Sequence, residues 1–150
     1  MVEARTRDGQ ALLALNEIFV GHRTHQSARY LLGFGGRRER HSSSGFICAT
    51  GTGATGWARS IALGRTDAPP PPAPTAPELV FLVREAWPSV RTGTSLVAGV
   101  VGAGAELVVT SEMNDGGVVF GDGIEDDRLP MPYGQELALR RAEQVLRLVT

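Results

Sequence analysis

The sequence contains no lysine, and this absence removes several kinds of active site. All 15 basic residues are arginine. A P-loop lysine, a Schiff-base lysine and a lysine general base are therefore excluded. Cysteine is nearly absent as well, because Cys48 stands alone, so neither an intrachain disulfide nor a cysteine zinc cluster can form. Cys48 lies in a short apolar run, and we expect it to be a buried small hydrophobic residue.

A strong charge imbalance and long apolar runs are also missing. The formal net charge is −1 over 150 residues, so no overall field favours nucleic acid or a membrane surface as a partner. No apolar run approaches the roughly 18 residues that a membrane-spanning helix needs, and the N-terminus lacks the apolar core of a signal peptide. We therefore expect one domain over residues 1–150, located in the cytoplasm.

Glycine is abundant, with 19 residues, and short apolar runs alternate with turn residues, which favours a β-rich chain. Strands are predicted at residues 28–34, 45–49, 78–83, 95–101, 106–110 and 118–120. Gly35 and Gly36 predict a hairpin whose polar tip covers residues 35–41, and residues 95–101 and 106–110 are expected to pair with each other.

Other segments carry weaker patterns. Residues 1–10 are polar and are expected to be frayed. Residues 12–20 fit either a short helix with a polar face or a segment that presents Asn16 and Glu17 to a ligand. Residues 66–77 contain six prolines and predict an extended surface loop. The periodicity of residues 136–149 fits both a helix and strands.

Residues 42–60 carry the most information about function. A short apolar run leads into Gly51, Gly53 and Gly56, which alternate with threonines, and a helix can begin at Trp57. Such a turn exposes backbone N–H groups beside the positive end of a helix and can hold a nucleotide. An ordinary strand-to-helix turn explains the same residues equally well.

The three glycines also match the Rossmann pattern G-x-G-x-x-G, which would make the chain an NAD-binding oxidoreductase module. That fold requires a second parallel strand, with an acidic residue about 20 residues further on. The corresponding region contains Pro69 to Pro72, and proline lacks the N–H group that a central strand needs. The sequence therefore has the Rossmann glycine pattern but lacks the second parallel strand and the acidic residue that the fold requires.

An ordered set of motifs resembles the NAD kinase family. Residues 50–58, T-G-T-G-A-T-G-W-A, resemble the family motif T-P-T-G-S-T-A-Y-S, and residues 15–17, L-N-E, match the family's L-N-E motif. Residues 118–123 and 146–149 resemble the C-terminal strands of the family, and this resemblance favours strands over a helix for residues 136–149. The resemblance extends from about Leu12 to the end and implies a mainly β, sandwich-like domain with one or two short helices, like the C-terminal domain of NAD kinases.

NAD kinases phosphorylate the 2′-hydroxyl of the adenosine ribose of NAD to give NADP, with ATP or polyphosphate as the donor and Mg²⁺. The resemblance implies that Asn16 and Glu17 contact the nicotinamide-ribose half of NAD. It further implies an adenine pocket lined by Thr52, Thr55, Gly56 and Trp57, with Ser60 nearby. It assigns no catalytic residue and no metal ligand to this chain.

The sequence also departs from the family pattern. Gly51 replaces a proline, Gly56 an alanine and Trp57 a tyrosine, while Ser44 replaces an aspartate that approaches the ligand from a neighbouring subunit. The family's Gly-Gly-Asp-Gly motif, which belongs to an N-terminal α/β domain and holds the aspartate that acts on the 2′-hydroxyl, has no counterpart. The resemblance thus implies a homo-oligomeric NAD-binding domain that is inactive alone, either a kinase fragment or a stand-alone relic.

Two alternatives stay open at this point. A structural or oligomerising β domain whose Gly/Thr turn binds no ligand would fit the composition equally well. Separately, Asp122 and residues 125–127 form an acidic cluster that suggests cation binding, although its spacing does not fit an EF-hand loop. An acidic turn is the preferred interpretation of that cluster.

Overall fold

The computed structural model describes residues 1–147, which form twelve strands, one α-helix and two short 3₁₀ turns. The strands are β1 Val2–Thr6, β2 Ala11–Ala14, β3 Glu17–His22, β4 Ala28–Phe34, β5 Arg37–Ser43, β6 Phe46–Thr50, β7 Leu79–Val83, β8 Ala98–Val101, β9 Leu107–Ser111, β10 Gly117–Gly121, β11 Leu129–Pro130 and β12 Glu136–Arg141. The helix α1 spans Trp57–Ala62, and the 3₁₀ turns span Gly53–Thr55 and Glu125–Asp127.

The strands form two six-stranded sheets. The first sheet has the order β2-β1-β12-β9-β4-β5, and the second has the order β11-β10-β3-β6-β7-β8. Every strand pair in the described residues is antiparallel. The prediction of a mainly β, sandwich-like domain is therefore confirmed. The Rossmann alternative is wrong, because that fold is built on a parallel sheet.

The main core lies between the two sheets. Tyr30 and Leu137 contribute to it from the first sheet, and Phe46 and Phe81 contribute from the second; all four are fully buried. Cys48 belongs to the same cluster, as expected, and burial raises the pKa of its thiol to about 12.

A smaller apolar cluster covers the outer face of the second sheet. Ile47 from β6 and Leu82 from β7 point away from the main core and pack under Ala54 and Ala58 of the turn and helix that follow β6. Strands β6 and β7 are therefore buried on both faces, which explains why their sequences are continuously apolar instead of alternating. The Gly/Thr turn and α1 are thereby fixed on this outer face.

Two expectations for the first part of the chain are wrong. The segment expected to fray contains β1, which pairs with β2 and with the distant β12, so that only Arg5 of this strand is exposed. The helix considered for residues 12–20 is absent, because β2 and β3 occupy that segment and a bend separates them.

The hairpin at Gly35 and Gly36 is confirmed, and both glycines have the positive φ that a tight turn requires. However, β5 begins immediately after it, so the polar tip is only two residues long.

Two further predictions concern the second half. Residues 95–101 and 106–110 do not pair with each other, because β8 lies at the edge of the second sheet whereas β9 lies inside the first. The strand interpretation of the C-terminal segment is confirmed for β12. Residues 142–147 form no helix or strand, and residues 148 and 149 of the predicted final strand lie outside the described residues. No helix in residues 1–147 is both long and apolar enough to cross a membrane.

Candidate nucleotide site

The end of β6 and the start of β3 bring the two sequence motifs together through Thr50. The backbone N–H of Thr50 donates to the carbonyl oxygen of Asn16 at 2.8 Å. Its hydroxyl donates to the carbonyl oxygen of Leu15 at 2.8 Å and accepts a hydrogen bond from the N–H of Gly53 at 3.1 Å. The first residue of the Gly/Thr motif therefore ties the L-N-E segment to the turn.

Gly53 is required by a close approach of two backbones. A Cβ atom at this position would lie 2.2 Å from the carbonyl oxygen of Asn16 and 2.7 Å from its Cα. Any side chain at residue 53 would therefore push the turn away from the L-N-E segment. The φ angle of Gly53 is not in the left-handed region, so the backbone conformation does not require glycine here. Glycine is required because the two motifs come into contact at this residue.

Asp122, at the end of β10, fixes the L-N-E segment from the other side. Its two carboxylate oxygens accept hydrogen bonds from the N–H groups of Leu15 at 2.8 Å and Asn16 at 2.7 Å, and the N–H of Glu17 approaches at 3.4 Å. The N–H of Asp122 in turn donates to the carbonyl oxygen of Glu17 at 2.9 Å. Because the backbone engages this carboxylate, the geometry agrees with the acidic-turn interpretation of residues 122–127.

The side chains of Asn16 and Glu17 remain accessible on this fixed segment. Both residues are half-buried, and neither side chain hydrogen-bonds to any of residues 1–147. Burial raises the pKa of the Glu17 carboxyl, and the nearby charge of Asp122 raises it further. The amide and the carboxyl can therefore receive the hydroxyl groups of a bound sugar.

The remaining residues assigned by the resemblance lie on the exposed side of the turn and helix. Thr52, Thr55, Gly56 and Ser60 are exposed, and Trp57 is half-buried. The hydroxyl of Thr55 donates to the carbonyl oxygen of Thr52 at 3.0 Å. Space around Gly56 is open, since the nearest atom to an added Cβ is the carbonyl oxygen of Gly53 at 3.8 Å. A ligand can therefore approach the backbone here.

These residues do not line one common cavity. Thr52 borders a cavity of about 260 Å³, Thr55 borders another of about 490 Å³ beside α1, and Trp57 borders a third of about 360 Å³. Asn16 and Glu17 border none of these three. The structure thus holds the two motifs together through the backbone but distributes the side chains over a surface.

Trp57 makes two contacts that the sequence did not indicate. Its ring stacks on Phe19, with centroids 5.6 Å apart and planes inclined by 14°. The guanidinium of Arg84 lies over the same ring system, 5.3 Å from its centroid. A base that stacks on Trp57 must therefore share the ring with Arg84 or displace it.

The proline-rich segment accounts for one departure from the family motif. Residues 66–77 contain no helix or strand, and the backbone at Pro72 and Ala73 packs against Gly51. A Cβ at residue 51 would lie 2.0 Å from the carbonyl oxygen of Ala73. The proline that NAD kinases carry here would therefore collide with this segment, whereas glycine fits.

Sequence reasoning missed the positioning roles of Thr50, Asp122 and the segment at Pro72. The turn signal of Asp122 and Gly123 after an apolar strand was visible, but the partner of the carboxylate lies more than a hundred residues away. The chemical groups present are of the types that could contact a dinucleotide: an amide, a carboxyl group with a raised pKa, hydroxyl groups, a glycine with open space around it and an aromatic ring. The fold and this surface define a two-sheet β domain that presents these groups around the Gly/Thr turn.

Comparison with solved structures identifies the fold more closely. An NAD kinase from Archaeoglobus fulgidus, solved with ATP, shares 23% identity with a TM-score of 0.68 and is matched by 95% of this chain. Yeast NADH kinase, solved with NADH, shares 16% identity with a TM-score of 0.70 and is matched by 93% of this chain. No protein-family model and no curated protein matches the sequence.

The resemblance to the NAD kinase family is therefore confirmed at the level of the fold. The chain covers 51% of the archaeal enzyme and 39% of the yeast enzyme, so it spans about half the length of the first and less than half the length of the second. At these sequence identities the similarity establishes the fold alone. It does not show which ligand this chain binds.

Proposed function

We propose that this chain binds NAD and forms the NAD-binding β domain of an NAD-kinase-like phosphotransferase. The observation that carries the proposal is the attachment of the L-N-E segment to the Gly/Thr turn through Thr50 and Gly53. Two motifs that the family resemblance assigns to one ligand are far apart in sequence and adjacent in space. The pairing of β3 with β6 places Asn16 opposite Thr50, and the close approach of Gly53 to Asn16 extends this contact into the turn.

The proposed contacts follow the two sides of this junction. Asn16 and Glu17 bind the ribose on the nicotinamide side, where the raised pKa of Glu17 favours hydrogen bonds to sugar hydroxyls. The adenine half lies along the exposed side of the turn, at Thr52, Thr55, Gly56 and Trp57, with Ser60 nearby. Gly56 leaves room for the ligand to reach the backbone.

Phosphoryl transfer requires parts that the family resemblance assigns to no residue of this sequence. It needs a base for the 2′-hydroxyl and groups that hold the metal-bound phosphates of the donor. The Gly-Gly-Asp-Gly motif that provides these in NAD kinases is absent from the 150 residues. We propose that a separate α/β domain supplies the base, Mg²⁺ and the site for ATP or polyphosphate, within a cytoplasmic homo-oligomer.

Calorimetric titration with NAD tests the binding proposal. NAD should bind the parent chain, and Asn16→Ala should weaken binding at least tenfold, about 1.4 kcal/mol. Asn114→Ala is the matched control, because Asn114 is an exposed asparagine in the turn before β10. Equal affinity of parent and Asn16→Ala, or no binding by the parent, would support an oligomerising β domain instead.

The proposal that another domain supplies the catalytic groups can be assayed separately. The 150 residues, supplied with NAD, Mg²⁺ and either ATP or polyphosphate, should form no NADP. Turnover by this chain alone would contradict the proposal that another domain holds the base, and Glu17, Asp115 and Asp122 would then be the carboxylates to examine.

A further inference from the structure

An apolar cleft is bounded by α1, by β7 and by the proline-rich segment. Its volume is about 490 Å³, within the range of about 300–1,000 Å³ that small-molecule sites occupy. Val80 and Leu82 line it from the sheet, and Ala58 and Ala62 line it from the helix. The proline-rich segment contributes four further apolar residues, Pro69, Pro71, Pro72 and Pro74. The cleft is therefore built almost wholly from hydrocarbon surface.

The proline-rich wall of this cleft is held in place at two points. Just before the segment, the guanidinium of Arg65 donates to the two carboxylate oxygens of Asp67 at 2.9 and 2.8 Å. It also donates to the carbonyl oxygen of Val83 at 2.6 Å. Further along, the carbonyl oxygen of Ala73 lies so close to Gly51 that an added Cβ would be 2.0 Å from it. The cleft is thereby formed in advance, which lowers the cost of binding.

The lining offers few hydrogen bonds to the body of a ligand. Proline has no backbone N–H group, and the hydroxyl of Thr55 already donates to the carbonyl oxygen of Thr52 at 3.0 Å. A polar molecule would therefore lose hydrogen bonds to water in this cleft without replacing them. A hydrocarbon chain loses no such bonds and gains free energy when it leaves water.

Arg59 adds one positive charge to this apolar cleft. Of the described residues that line the cleft, it alone is charged. It lies in the last turn of α1 and is exposed, and its guanidinium makes no hydrogen bond or ion pair with residues 1–147. Arg65, by contrast, is already paired with Asp67. A guanidinium presents a planar set of donors that matches a carboxylate, so the cleft is complementary to a molecule with a hydrocarbon body and one carboxylate.

We propose that this cleft binds a carboxylate that carries a medium-length hydrocarbon chain, with decanoate as a simple example. The chain packs between the helix and the proline-rich segment, and the carboxylate meets Arg59. Asn16 and Glu17 do not line the cleft, which shares only Thr55 with the proposed NAD surface. The site therefore does not depend on NAD binding.

Calorimetric titration with chains of different length and charge tests this site, at concentrations below those at which the probes form micelles. Decanoate should bind, and octanoate should bind about tenfold more weakly, because each buried methylene group contributes to affinity. Decyltrimethylammonium, which has the same chain and the opposite charge, should bind at least tenfold more weakly than decanoate. Equal binding of the two ions, or no binding of millimolar decanoate, would overturn the proposal.

Variants of the lining residues locate the bound probe. Arg59→Gln should weaken decanoate binding at least tenfold, and Ala62→Leu should do the same because its larger side chain fills part of the cleft. Arg38→Gln is the matched control, since Arg38 is an exposed arginine on the first sheet, and it should leave the affinity unchanged. Undiminished binding by either lining variant would overturn the assignment. If Ala62→Leu fails to fold, as judged by circular dichroism, Arg59→Gln retains the test, because its side chain has no partner in residues 1–147.

NAD affinity separates this inference from the proposed function. Asn16→Ala should reduce NAD affinity and leave decanoate affinity unchanged, whereas Arg59→Gln should do the reverse. A chain that binds decanoate and not NAD would contradict the proposed function and support this cleft. Decanoate binding that is lost in Asn16→Ala and kept in Arg59→Gln would overturn the separate cleft and place decanoate on the NAD surface.

Discussion

Asp122 is the residue whose replacement most sharply tests how the candidate site is held. Asp122→Asn keeps the size of the side chain and tolerates the positive φ of 52° at this position. It also replaces one of two acceptor oxygens by an NH₂ group that faces backbone donors. One of the short hydrogen bonds from the N–H groups of Leu15 and Asn16 is thereby lost. The new NH₂ group then faces a backbone N–H group, so that two donors oppose each other.

The magnitude follows from the two short bonds. A hydrogen bond to a charged acceptor contributes about 1.5–3 kcal/mol, and the segment is half-buried, so we expect a loss near 2 kcal/mol in the free energy of unfolding. For a domain of this size such a loss lowers Tm by about 4–8 °C. Urea unfolding at pH 7 measures it, and the m value should stay unchanged.

Asp126→Asn is the matched control, because it removes one negative charge from the same exposed turn without touching the L-N-E segment. It should change stability by less than about 0.5 kcal/mol. Asp122→Asn should also weaken NAD binding, since the segment that carries Asn16 and Glu17 loses its support. Equal stability of the two variants would refute the account of Asp122 as the anchor of the site.

Two other substitutions test packing and pH dependence. Gly51→Ala should destabilise the fold by about 1–3 kcal/mol in urea unfolding, because its Cβ would meet the proline-rich segment, whereas Gly102→Ala, with open space around it, should be nearly neutral. His41 is fully buried, and neither ring nitrogen is hydrogen-bonded to the described residues. Burial lowers its pKa although the carboxylate of Glu39 acts in the opposite direction, so stability should fall as pH drops below about 6.5. His41→Phe should flatten that pH dependence, and an unchanged profile would assign it to other groups.

Local sequence patterns predicted much of the sheet structure. Strands β4, β6 and β7 are short apolar runs bounded by turn residues, and Gly35 with Gly36 marks a two-residue hairpin. These features depend on a few neighbouring residues, so the sequence displays them. The family motifs assigned these two segments to the two halves of one ligand, and the structure shows in addition that their backbones are in contact.

Long-range pairings could not be predicted in this way. Strand β1 is polar enough to suggest fraying, and it is ordered by pairing with β12, more than a hundred residues later. The same limit applies to Asp122, whose carboxylate binds the backbone of residues 15–17. Strands β8 and β9 look like a hairpin locally, but β8 pairs with β7 in the second sheet, whereas β9 pairs with β4 and β12 in the first. Tertiary contacts decide these features, and no local pattern encodes them.

Amide chemical-shift mapping with NAD tests the central claim most directly. Addition of NAD to the labelled chain should shift the backbone amides of Asn16, Glu17, Gly53 and Gly56, at the junction of the two motifs, and leave those of β12 in the first sheet unchanged. Saturation of these shifts at one common affinity would support a single NAD site at the junction. Shifts confined to other residues, or none with millimolar NAD, would contradict the account.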